Sequence, residues 1–258
     1  MEVTVVHLAE WLMERQLDKT AATMLKTNLE ARGLRFMLAT QTTALLGNSE
    51  GHVRAVRFSD GSELAADLVC MAVGIRPNDE LAKSAGIHCN RGVVVNDTLQ
   101  TYDPRIYAVG ECASHRGVAY GLVAPLFEMA KVCANHLAMM GIGSYKGSVT
   151  STKLKVTGID LFSAGNFTGG ENTEEILLHD AIGGVYKKLV IQDERIVGSV
   201  MYGDTVDGAW YFQLMRDRQN ITEIRDHLMF GQVNLGNTGH QGQTSAATMS
   251  DEIGRAHV

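Results

Sequence analysis

The chain has 258 residues, 45% hydrophobic and 20% charged, with 23 Lys and Arg against 29 Asp and Glu for a net charge of −6. That is an ordinary globular balance with room for one or two cored domains, and it lacks the basic footprint of a nucleic-acid binder. No apolar run approaches the length of a membrane span. The four cysteines (Cys70, Cys89, Cys112 and Cys133) form no Cys-x-x-Cys motif, which argues against zinc, an iron–sulfur cluster or a disulfide framework.

Glu2 to His7 is a β-branched run that reads as a parallel strand. Leu17, Ala21, Met24, Leu25 and Leu29 recur at helical spacing, with Asp18 as a cap and Gly33 as the stop. Phe36 to Leu46 reads as one strand, and Val53 to Phe58 with Glu63 to Ala66 as a hairpin turning at Asp60-Gly61. Leu68 to Val73 is a buried strand by its apolar content, Glu80 to Ala85 a short helix, and Val93 to Val95 a strand. Ile106 to Val109 reads as another strand. Leu122 to Met140 is a helix with Leu126, Met129, Ala130, Cys133 and Leu137 on its core stripe. Gly141 to Gly147 has the composition of a linker. Beyond it, Lys153 to Val156, Ile159 to Ala164, Glu175 to Asp180, Val185 to Gln192 and Ile196 to Tyr202 alternate as an antiparallel meander. Helices at Asp207 to Asp217 and Ile221 to His227 follow. The expected fold is α/β: a partial doubly wound NAD(P)H/FAD-binding fold followed by a small α+β domain. Its parts are residues 1–98, 99–147 and 148–230, with a mobile polar tail over 231–258. Cys70 and Cys133 read as buried thiols of a cytoplasmic protein.

Three places carry chemistry. At Gly110-Glu111 an apolar run ends in a glycine, which lets a ligand approach the backbone, and then presents a carboxylate able to accept a hydroxyl hydrogen bond. Alone, that pattern is equally a surface turn with an acid. Ala72-Val-Gly-Ile-Arg-Pro-Asn78 puts Val73 and Gly74 at the carboxyl edge of a sheet, where open α/β folds bind ligands; a plain turn is the alternative. Gly121-Leu-Val-Ala-Pro125 opens a helix whose free N–H groups favour negative charge, unless Pro125 simply starts a core helix. His7 ends the first strand, where a ribose-binding acid commonly stands, and Glu10 is a nearby acid. His115-Arg116-Gly117 offers either a phosphate contact or a loop ion pair. No Ser-His-Asp set, nucleophilic Cys pair or His-Glu-x-x-His occurs.

Thr101 to Cys112 resembles the second flavin-binding motif of the FAD-dependent pyridine nucleotide oxidoreductases, and Ala72 to Asn78 resembles the motif that closes their NAD(P)H domain. Glu111-Cys-Ala followed by His115-Arg-Gly117, and Lys153 to Gly165, are similar to the NAD(P)H-dependent nitrite reductase large-subunit family. The resemblance implies FAD and NAD(P)H as cofactors, held at Gly110, Glu111, Leu122, Val123, Val73, Gly74 and His7. It implies electron flow towards iron–sulfur and sirohaem centres that lie outside this chain, a nitrite reductase small subunit as partner, and a possible homo-oligomer. No Gly-x-Gly-x-x-Gly occurs, so the frame is expected to open at an internal Met. The isolated segment is then expected to bind FAD weakly and to be inactive towards nitrite. Glu252 to Val258 fits no structural pattern and reads as an artefact of the kind a sequencing adapter encodes. A reductase of the rubredoxin or ferredoxin type is the alternative enzyme, and a fold that has lost its cofactor is the alternative outside catalysis.

Overall fold

The computed structural model describes residues 1–141 and 143–237. Strand β1 (Val3–Val6) and β2 (Leu34–Met37) form a parallel pair joined by helix α1 (Lys19–Ala31). Asp18 caps α1 through its carboxylate, 3.0 Å from the Ala21 N–H, and Gly33 leaves the helix at φ +93°. Strands β3 (Thr42–Gly47), β4 (Val53–Phe58) and β5 (Glu63–Ala65) form an antiparallel meander, with Gly61 (φ +83°) in the β4–β5 turn. The run from Phe36 to Leu46 is therefore two strands. Ala39 takes φ +50° between them, and its N–H bonds back to the Ala9 carbonyl, so the chain leaves one sheet before joining the next.

Helix α2 (Glu80–Ser84) leads to β6 (Val93–Val95), which pairs in parallel with β7 (Ala113–His115). Helix α3 (Val123–Leu137) packs over this unit through Met129 and Cys133; burial pushes the Cys133 thiol pKa up. Ala130 and Leu137, assigned above to the core stripe, face outward. The Gly141 to Gly147 run is not a free linker: Tyr145 is buried, its N–H bonding the Asp97 carbonyl at 2.7 Å.

The rest is one five-stranded antiparallel sheet, in the order β10 (Glu174–Asp180), β11 (Val185–Gln192), β12 (Arg195–Tyr202), β9 (Ile159–Gly165), β8 (Ser151–Val156). Asp193 and Glu194, both at positive φ, close the β11–β12 hairpin. Because side chains alternate, one face (Phe162, Leu189, Ile191, Met201) packs on α4 (Gly208–Arg216) and the turn at Arg225–Phe230. The other face (Ile159, Leu161, Tyr186, Val200, Tyr202) packs on α1. Tyr186 donates its hydroxyl to Asp18 at 2.7 Å, so the residue that caps α1 also fastens the helix to the sheet. Residues 238–258, including the expected tail and its last seven residues, lie outside the described residues.

Two expected strands are absent. Leu68 to Val73 has no ladder partner among the described residues, and Leu68, Met71 and Val73 are 77%, 75% and 90% exposed. Cys70 within it is exposed, which overturns its reading as a buried thiol. Ile106 to Val109 instead folds back on residues 99–101: Ala108 N–H bonds the Leu99 carbonyl and Thr101 N–H bonds the Ile106 carbonyl. The strand of that region is β7, which follows Gly110-Glu111 rather than preceding it.

Candidate functional site

Gly110 and Glu111 lie in a tight turn that feeds β7, with the Ala113 N–H on the Gly110 carbonyl at 3.1 Å. Gly110 has φ +100°, and beyond its own chain neighbours no atom of the described residues lies within 4 Å of where a Cβ would stand. Its backbone is open to an approaching group, and the Glu111 carboxylate is exposed beside it. The turn rests on Gly92. A Cβ at Gly92 would stand 2.8 Å from the Cys112 carbonyl oxygen, and φ there is +122°. Buried Asp79 holds Gly92 in turn, accepting its N–H at 3.2 Å. Lys83, 2.7 Å away, holds the Asp79 carboxyl below its ordinary range.

The Gly74 turn and the start of α3 are neighbours. A Cβ at Gly121 would stand 3.0 Å from Ile75 Cδ1, so the strandless segment around Gly74 (φ +81°) leans on the amino end of the helix. No side chain caps that end, and Pro125 fills a position whose N–H would have no helical partner. Leu122 and Val123 are 43% and 67% exposed there. Each feature suits part of a flat ring system with an electron-rich edge: Gly110 and Glu111 offer open backbone and an accepting carboxylate, and the α3 start, with Ile75 against it, offers free donors and exposed apolar side chains.

His7 stands apart. It ends β1 with its N–H on the Met37 carbonyl, and its Nε2 lies 3.0 Å from Glu14. It shares no hydrogen bond with the Gly74, Gly110 or Leu122 groups among the described residues. Glu10 is exposed nearby in the chain.

His115 and Arg116 form an ion pair in the loop. Asp97 accepts from His115 Nε2 at 2.9 Å, from Arg116 at 3.0 and 2.7 Å, and from Lys146 at 3.2 Å. The Arg116 guanidinium first, then His115 and Lys146, hold the Asp97 carboxyl well below the usual carboxylate range. Sequence reasoning missed Asp97, Gly92 and Asp79. For Asp97 the available signal was its place beside Asn96, whose side chain accepts the Thr98 and Gln100 N–H groups in a turn just ahead of the flavin-like motif.

No helix among the described residues is long and apolar enough to cross a membrane. No group of three or more His, Cys, Asp or Glu among them could hold a metal.

Residues 1–136, just over half the chain, match the family model of the pyridine nucleotide-disulphide oxidoreductases. The chain belongs to that family of flavoenzymes, whose cofactors are FAD and NAD(P)H. Residues 151–219 match the rubredoxin NAD+ reductase C-terminal domain. The chain is 50% identical over 223 residues to a nitrite reductase [NAD(P)H] of Bacillus subtilis, an alignment covering 86% of this chain and 28% of that protein. It is 47% identical over 229 residues to the assimilatory nitrate reductase electron transfer subunit of the same organism, covering 89% of this chain and 29% of that one. The putidaredoxin reductase–putidaredoxin complex is a solved structure of similar fold, with a TM-score of 0.73 at 26% identity, covering 85% of this chain and 54% of that one. The chain thus spans under a third of the length of the two curated relatives.

Proposed function

We propose that the chain is the NAD(P)H:FAD oxidoreductase segment of an assimilatory nitrite reductase, acting in the cytoplasm. Its electrons leave FAD for iron–sulfur and sirohaem centres carried elsewhere in the assembly, where nitrite becomes ammonium. The observation that carries this reading is the 50% identity, sustained across 86% of the chain, to a nitrite reductase. The site supports its flavin half. Bound FAD would supply the hydride-accepting chemistry; the chain supplies position and charge. Glu111 would accept a hydroxyl of the flavin side chain, and Gly110 would allow the close approach. The first N–H groups of α3 would favour the negative charge of the reduced ring, with Leu122 and Val123 against it. Val73 and Gly74 would face the nicotinamide, and His7 the adenosine ribose. The functional division is 1–98 for NAD(P)H, 99–147 for FAD and 148–230 as a docking scaffold. A nitrite reductase small subunit is the proposed partner, and self-association is compatible with the exposed apolar side chains.

A rubredoxin- or ferredoxin-type reductase is the second reading, favoured by the C-terminal match over residues 151–219. The test follows NAD(P)H-dependent reduction of a dye and of nitrite, in this segment and in a gene product extended to the relatives' length. The segment alone is expected to bind FAD weakly and leave nitrite untouched; the extended protein is expected to form ammonium. Dye reduction without ammonium in the extended protein would select the second reading. A stoichiometric yellow flavin on the purified segment would contradict the expected weak binding.

A further inference from the structure

We propose that Asp97 is a positioning residue for the flavin-binding loop: it gathers His115, Arg116 and Lys146 so that the turn bearing Glu111 is fixed before a cofactor arrives, and it withholds Arg116 from phosphate. The inference rests on the flavin reading of Gly110-Glu111.

Residues 110–118 are a strap with β7 at its centre. Upstream the strap is held from beneath by Gly92, and Val93 N–H bonds the Cys112 carbonyl at 2.7 Å. Downstream it reverses at Arg116-Gly117, where both residues take positive φ, +51° and +81°, and His115 and Val118 exchange backbone hydrogen bonds at 3.0 and 2.9 Å. Glycine adopts that conformation freely; Arg does so at a cost. The compensation is visible. Arg116 Nε and Nη2 close a two-pronged pair on the Asp97 carboxylate, the geometry that suits a guanidinium best. A guanidinium so engaged on a carboxylate has a strong partner already, and this separates the two readings of His115-Arg116 in favour of the loop.

The same carboxylate reaches the buried His115 ring, which stands edge-on to Tyr145 at 4.8 Å between centroids. It also reaches Lys146 on the chain that leaves α3. Tyr145 hydrogen-bonds Ser148, and Ser148 donates its N–H to Tyr120, three residues beyond the Arg116-Gly117 reversal. Asp97 therefore ties three separate stretches, residues 96–97, 115–116 and 145–146, around the end of β7. Glu111 is exposed and makes no such tie among the described residues, so its direction is inherited from the strap on either side of it.

The test is FAD titration of the gene product extended to the relatives' length, read by flavin absorbance and fluorescence, for wild type, Asp97→Asn, Asp97→Glu, Arg116→Ala and the Asp97→Asn/Arg116→Ala double variant. Asp97→Asn is expected to weaken FAD binding roughly tenfold, equivalent to about 1.4 kcal/mol, and to alter the bound flavin spectrum. Asp97→Glu should recover part of both. If Arg116 acts through Asp97, the double variant binds no worse than Asp97→Asn, because the two losses are one loss. Additive losses would mean that Arg116 touches the cofactor itself, and would overturn the proposal. So would a wild-type dissociation constant and spectrum in Asp97→Asn. If the extended wild type gave no flavin signal even at saturating FAD, the flavin reading would fall and this inference with it. A wild type that binds FAD while the variants behave additively sinks the inference alone.

Discussion

The two halves of the molecule treat the same kind of sequence differently. In the C-terminal sheet every apolar strand finds a ladder neighbour, and both faces are covered, by α1 on one side and α4 on the other. In the first half, β1–β2 and β6–β7 are two-stranded pairs, and the apolar run Leu68 to Val73 stays in solvent. Apolar composition makes a strand only where an edge is waiting for it. The contrast also separates stability from function. The residues that hold the chain together are concentrated around the sheet, whereas the candidate cofactor residues lie on turns and at a helix end, where backbone is open.

The contrast can be broken at its strongest point. Leu189 is fully buried on β11, and Leu189→Ala is expected to cost about 2–5 kcal/mol. Val73→Ser, in the exposed run, should stay within about 0.5 kcal/mol. Urea unfolding followed through Trp210, which packs on the α4 core, reads both. Equal losses would mean that the run is packed after all. Next in size, Gly92→Ala forces a methyl against the Cys112 carbonyl at an unfavourable φ, a strain of about 1–3 kcal/mol. Because the affected turn carries Glu111, FAD affinity should fall more than global stability does; a normal FAD titration would remove Gly92 from the site. A smaller effect is expected at the seam between the halves. Asp18→Ala removes a helix cap, worth about 1 kcal/mol, together with the Tyr186 hydroxyl's partner. Trp11, which packs on the same cluster, reports the loosening by fluorescence. One change should have the opposite sign. Ser199 Oγ is buried on β12 without a hydrogen-bond partner among the described residues, so Ser199→Ala should stabilise by on the order of 1 kcal/mol. Destabilisation in a melting curve would point to a buried water on that hydroxyl.

The legibility of the fold follows the same division. The meander from Ser151 to Tyr202 could be read because alternation and turn residues are local signals, and all of the pairings they imply lie within the stretch itself. Asp18 and Gly33 could be read as the bounds of α1 for the same reason. The break inside Phe36 to Leu46 was hidden because Ala39 is not a residue type that advertises a positive φ. Ile106 to Val109 misled because a short apolar run is silent about whether it will extend or fold back on its neighbours. Of the site, the glycines and the exposed acid were visible from their pattern. Asp97 was not: its partners lie 18, 19 and 49 residues along the chain, and a carboxylate is spotted in sequence only when its partners are near.

The seating of α1 on the C-terminal sheet has a practical consequence. A cut near residue 148 looks clean along the chain, yet the piece removed would carry away Ile159, Leu161, Val200 and Tyr202, and the piece left behind would keep Leu17, Ala21, Leu25 and Leu29. Both would emerge with an oily scar. Anyone building a chimaera between this reductase module and another should therefore exchange α1 and the sheet together, as one graft defined by the shared Asp18–Tyr186 seam.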